Sequence, residues 1–224
     1  MTKQEGPLDS QKIRASTNER LRALGATPRA TFPPVLLPQG ERPVAEVIER
    51  ALSLGLVALA AEGFDPPLIQ EEIVSFRLAN AMTPLEAACA AADGSVDLST
   101  QAELSWYVEG FRALAWALGL ESVLPPVDDE QNQGFMVLER LLEEGSIEAL
   151  ASKSAPRTTE ELVVEADLYR CYRVIYRELT PPDVAAGVEP QIGQIPAQTV
   201  LKRAKALEWL LVPTTPWDPL VDPR

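Results

Sequence analysis

The sequence predicts an all-α protein: a single irregular multi-helix domain with proline-rich connecting loops and an extended C-terminal tail. Three observations carry this. Apolar residues recur at spacings of three and four in one segment after another, the period of helices with one buried face. No stretch of any length alternates apolar and polar residues as a half-buried strand would. The 20 prolines gather between the periodic segments, where they remove backbone donors and fix φ, so they mark corners. No internal repeat and no long polar linker divides the chain.

Taken in order, Ser10 to Leu24 reads as a short polar helix ended by Gly25. Pro28 to Pro43 sets Phe32, Val35, Leu36 and Leu37 between prolines, which favours an extended strap across the surface. Pro43 suits a first turn, and a strong helix runs from there to Glu62 with a broad apolar stripe from Val44 to Ala61. Asp65 is a plausible N-cap for the next helix, Leu68 to Leu78. Thr83-Pro84-Leu85-Glu86 is a capping box that opens a short helix to Ala91. Asp93-Gly94 turns the chain, and Ser99 or Thr100 would cap the next helix.

That helix lies in the most informative block of the chain, Gln101 to Gly119. Leu104, Val108, Phe111, Leu114, Ala115 and Leu118 form one apolar stripe, and Gly119 is a helix stop. Trp106 and Trp116 stand ten residues apart, so one continuous helix would point them in similar directions. Pro125-Pro126 breaks the chain, and Asp128-Asp129-Glu130 opens a helix with Phe135, Met136, Leu138, Leu141 and Leu142 on its apolar face. Ser146 to Ala151 is a short helix. Thr158 or Thr159 starts a long one that ends at Pro181-Pro182. After a loop with Gly187 and Gly193, Pro196 starts the last helix through Leu211, and the tail from Pro213 lies extended, anchored by Trp217.

Composition excludes much chemistry. There is no histidine, hence no imidazole base, no Ser-His-Asp arrangement and no His-ligated metal. Cys89 and Cys171, each inside a helical pattern, read as reduced, buried thiols, and two cysteines cannot make a four-thiolate zinc site. The net charge of -13 argues against nucleic acid and permits a basic protein partner. The charge is uneven: residues 1–29 carry +3, leaving -16 on the remainder. Residues 1–30 therefore read as a basic N-terminal helix or arm packed on an acidic all-α body, 31–224, most simply one domain overall. No apolar run reaches the roughly 18 residues of a membrane span, and the polar segment Met1 to Ser10 lacks a signal peptide's apolar stretch; a cytoplasmic protein with no membrane partner is expected.

Several short pieces, weak singly, combine: Ser105-Trp106-x-x-Glu109; Leu114-x-Trp116-Ala117-Leu118-Gly119; Pro125 to Asp128; Ala166-Asp167-Leu168-Tyr169; Lys202-Arg203 with Ala206-Leu207-Glu208-Trp209-Leu210; and Trp217-Asp218. In this order they resemble the bacterial family catalogued as domain of unknown function 4272. The resemblance implies a shared fold and compartment and no assigned activity. It also implies an arginine, a histidine and a tryptophan after Asp-Leu-Tyr, where this chain has Arg170-Cys171-Tyr172-Arg173; any chemistry of that histidine is lost here.

Polar groups within those pieces and the Gln101 to Gly119 block are the candidate site: Arg112, Asp128, Asp167, Arg203 and Asp218, with Trp217 beside them. They would either pair as buried ion pairs that fix helix register, the expected arrangement, or converge as an Arg/Asp pocket for a carboxylate or phosphate. Trp116 and Trp209 read as core, while Trp217 could line a groove. The acids at 128–130 and at Glu160, Glu161 and Glu165 sit at helix starts, where negative charge is favoured anyway, so no metal is expected. No phosphate loop, catalytic signature or cofactor motif is present. The expected function is a non-enzymatic module that binds another, basic protein, of which a toxin-neutralising immunity protein would be one case; the alternative is a small-molecule binder or enzyme using the Arg/Asp pocket.

Overall fold

The computed structural model describes residues 7–124, 131–177 and 195–217. Its helices are α1 (Ser10–Ala23), α2 (Val44–Ala61), α3 (Pro66–Ser75), α4 (Pro84–Ala91), α5 (Leu98–Ser105), α6 (Tyr107–Ala117), α7 (Gln131–Leu142), α8 (Ile147–Lys153), α9 (Thr159–Arg177) and α10 (Ala197–Leu211), with a 3-10 turn at Leu78–Asn80. Among the described residues there is no strand, only an isolated bridge residue at Ile195, and no helix long and apolar enough to cross a membrane. The fold is all-α. The expected features at Pro125-Pro126, Asp128-Asp129-Glu130, Pro181-Pro182, Gly187, Gly193 and Asp218 lie outside the described residues.

Helix α2 is the hub. Its residues are buried on nearly every side between Val47 and Ala58, as expected of a helix that is apolar all round. One flank of α2 meets α6, whose other flank meets α10; α10 packs on α9, and α9 on α1. The shorter helices α3, α4, α5, α7 and α8 cover the rest of α2. The α6–α10 approach depends on small residues: a Cβ on Gly110 would lie 3.9 Å from the Ala206 Cβ and 3.2 Å from Leu54. The two helices thus bury against each other as their apolar stripes predict.

Local chemistry sets the boundaries. At Thr83 both bonds of the capping box form, from the Glu86 amide to Thr83 Oγ1 and from the Thr83 amide to Glu86. Gly119 has φ +70°, and the Leu120 and Gly119 amides donate to the Ala115 and Trp116 carbonyls, closing α6 in a Schellman motif. The segment from Ala26 to Pro43 is non-helical, with a turn at Ala30-Thr31 and Phe32 buried.

Four expectations are corrected. The Gln101 to Gly119 block is two helices, because the chain tightens at Trp106 (ψ -5°) where Ser105 Oγ donates back to the Ala102 carbonyl. Trp106 and Trp116 therefore do not belong to one continuous helix, and Trp116 is half-buried with Arg157 5.4 Å over its ring, while Trp209 is core. The cap of α5 is Asp97, whose carboxylate takes the Thr100 amide and both the Ser99 and Thr100 hydroxyls, outcompeting either hydroxyl as a cap. Met136 is not core: Leu138 packs on Gly55 of α2 and Leu141 is buried, whereas Met136 points to solvent.

Candidate functional site

Two polar clusters and one groove draw on the sequence candidates. The first cluster lies between α6, α9 and α10. Arg203 on α10 donates from Nε to Glu109 Oε2 at 2.7 Å and from Nη1 to the Tyr169 hydroxyl at 2.8 Å. Arg112, one turn along α6, sits 3.7 Å from the other Glu109 oxygen. Both arginines are only 1% exposed. Burial works against the Arg203 charge, but Tyr169 and Glu109 outweigh it and hold its pKa above the ordinary value. Burial also pushes the Tyr169 hydroxyl up. Glu121 feels Arg112 and Arg203, yet burial pushes its carboxyl above the usual value, and its Oε2 has no hydrogen-bond partner.

Asp167 does not join this cluster. It lies two residues before Tyr169, about 200° around α9, and is completely buried against α1. Arg14 grips both its oxygens, Nε to Oδ2 at 3.0 Å and Nη2 to Oδ1 at 2.7 Å. The convergence of Arg112, Asp167 and Arg203 on one cavity is therefore not formed, because α9 is sandwiched and its two flanks answer different helices. Asp128 and Asp218 lie outside the described residues. The basic arm docks in this same way: besides Arg14, Lys12 meets Glu160 and Arg20 meets Glu165, while Ile13 and Leu21 enter the common core.

The second cluster is centred on Trp217. Its Nε1 donates to Glu86 at 2.9 Å, and its ring lies edge-on to Trp209 (5.9 Å) and Tyr107 (6.3 Å). Glu86, completely buried, accepts from Arg50 Nη1 on both its oxygens, at 3.1 and 3.0 Å. Arg42 stacks over Trp209 at 3.8 Å and donates to the carbonyls of Trp209, Val212 and Thr215. Trp217 thus clamps the tail onto the body, and with Arg42, Arg50 and Trp209 it also lines a small cavity of about 330 Å³.

The groove lies elsewhere, walled by α3 and α7 over the floor of α2, with a volume of about 610 Å³. Three of the largest exposed apolar side chains gather in it: Phe64 (53% exposed), Leu68 (61%) and Met136 (68%). Phe64 and Phe135 touch across it, ring centroids 6.0 Å apart. Among the described residues its charged lining is Asp65 and Glu72 on one wall and Glu139 and Glu143 on the other. Among the described residues none of these four has an ion pair, whereas Glu86, Glu109, Glu165, Asp167 and Glu208 each have an arginine. Partial desolvation, with the Glu71 charge beside it, pushes the Glu72 carboxyl up. Sequence reading missed this groove, placing Met136 in a core stripe; the available signal was that Phe135 and Met136 are adjacent, so one helix face could not bury both fully.

The residues that complete the buried clusters, Glu109, Tyr169, Glu86, Arg50 and Arg14, were also not singled out. Their signal was charge within apolar stripes, such as Glu109 three residues before Arg112. Both cysteines are buried and unbridged, and burial pushes the Cys171 thiol up to about 12, far from a reactive thiolate. Among the described residues no group of three or more Cys, Asp or Glu is placed to hold a metal ion.

No curated protein and no solved structure matches the chain. The family described as domain of unknown function (DUF4272) matches residues 13–220, from within α1 into the tail beyond Trp217. With a match of that extent, the protein belongs to the DUF4272 family.

Proposed function

We propose that this protein is a non-enzymatic binding module that takes a basic protein on the acid-rimmed apolar groove between α3 and α7. One observation carries the reading: exposed Phe64, Leu68 and Met136 lie together between four carboxylates that have no ion pair among the described residues, whereas Glu86, Glu109 and Asp167 in the core are each matched by an arginine. Contiguous exposed apolar surface with a polar rim is the usual mark of an interaction site. The net charge of -13 adds long-range attraction for a basic partner. Toxin neutralisation is one biological setting for such binding. The Arg/Asp pocket has no comparable support, since Arg112 and Arg203 turn to Glu109 and Asp167 turns to Arg14.

The test is capture from lysate of the native host by wild type and by the Leu68→Glu/Met136→Glu variant, with folding of each checked by circular dichroism. The expected result is a basic protein retained at low salt by wild type, lost at high salt and lost in the variant. An identical captured set for both proteins refutes the reading.

A further inference from the structure

We propose that the α3–α7 groove receives a single amphipathic α-helix of the partner, apolar on the face turned to the groove and bearing Lys or Arg along both flanks. The proposal rests on the binding reading above and adds the form of the bound segment.

The lining chemistry selects a helix over an extended peptide. Between the carboxylates the groove is apolar, with Leu56, Leu59 and Ile69 beneath Phe64, Leu68 and Met136. An extended peptide pressed there would bury backbone N–H and C=O groups, and every unmatched one costs free energy. Side chains that could donate to its carbonyls are missing, because the polar lining side chains are carboxylates, which only accept when ionised. Beyond the first turn of α3 the wall helices pair their backbone groups internally, so the groove offers no sheet edge for strand addition. A helix brings its backbone bonds with it and needs only side-chain complementarity.

Shape and charge agree. Two helices over a third leave a furrow that takes another helix by ridge-into-groove packing. The α7 wall runs from Phe135 to Glu143, about 12 Å or a little over two turns. Asp65 and Glu72 on one side and Glu139 and Glu143 on the other would face the two flanks of a helix lying between them. The flanks must be cationic, since a Glu-flanked helix would face like charge on both walls. A second copy of this chain is a poor occupant for the same reason: its basic helix α1 already has Lys12, Arg14 and Arg20 engaged on α9.

The probe is a synthetic helical peptide of roughly 14 residues, leucines at spacings of three and four and lysines on both flanks. It is compared with a scrambled peptide of equal composition and with a glutamate-flanked version, against the full chain, by fluorescence anisotropy and circular dichroism. The expected result is binding of the lysine helix with a gain in helicity, at least about tenfold weaker binding of the scrambled peptide, and none of the glutamate version. Leu68→Glu/Met136→Glu should abolish binding, and Glu139→Lys/Glu143→Lys should shift preference toward the glutamate peptide. Equal binding of the scrambled peptide overturns the helix and leaves the basic-partner reading standing. So does failure of every peptide when lysate capture still depends on the groove. If groove substitutions alter neither peptide binding nor capture, both readings fall. Resistance of Met136 to peroxide in the isolated protein, or a dimer abolished by Met136→Glu, would show the groove already filled and overturn the proposal.

Discussion

Replacing Glu109 by alanine should be among the most damaging single changes in the molecule. Its carboxylate accepts from Arg203 at 2.7 Å and faces Arg112 at 3.7 Å, and both guanidiniums are almost fully buried. Removing one partner of a buried ion pair costs about 3–5 kcal/mol, because the two guanidiniums keep their desolvation penalty and lose part of its compensation. In a chain of this size about 1 kcal/mol moves Tm by roughly 2–4 °C, so the expected drop is roughly 6–20 °C. Differential scanning calorimetry of Glu109→Ala, Arg203→Met and the double variant measures it. The double variant should be more stable than the sum of the two singles implies, because the second change removes one of the two guanidinium charges that the first deprived of Glu109. Additive losses, or a drop in Tm for Glu109→Ala below about 2 °C, would refute the argument that this carboxylate holds the α6–α10 junction.

The same packing sets three further outcomes. Gly119→Ala should cost more than about 2 kcal/mol by denaturant unfolding, since the residue is left-handed at φ +70° and a Cβ would run into the Ala155 carbonyl oxygen. The Glu121 carboxyl titrates higher in the folded state than its ordinary 4.5, so the folded state binds that proton more tightly and stability falls as pH rises through this interval. Glu121→Gln should therefore raise Tm near neutral pH, with the gain vanishing below pH 4.5; a loss at neutral pH would mean that the attraction of Arg112 and Arg203 dominates. Trp209→Ala should cost about 3–5 kcal/mol and half-buried Trp116→Ala roughly half as much, a ranking readable from urea midpoints.

The helices, their class and many of their ends were legible in the sequence because they depend on neighbours in the chain. The capping box at Thr83 needs only Glu86 three residues on, and the stop at Gly119 needs only a residue tolerant of positive φ. Absent histidine and strong acidity likewise limited the chemistry before any fold was known. The N-terminal arm's attraction to the acidic body was visible as a charge imbalance, although its partners on α9 were not.

Partnership between distant residues was decided only by the tertiary structure. Periodicity places Asp167 and Tyr169 on α9 but cannot tell that Arg14 takes one and Arg203 the other, because a buried charge is compensated by whichever helix packs on its flank. The same holds for surface. The stripe containing Phe135, Met136 and Leu138 reads as one apolar face, yet Leu138 is buried against α2 and Met136 is left outside in the groove. Sequence determines that a face is apolar; the helices available to cover it determine whether it becomes core or a surface that another protein can use.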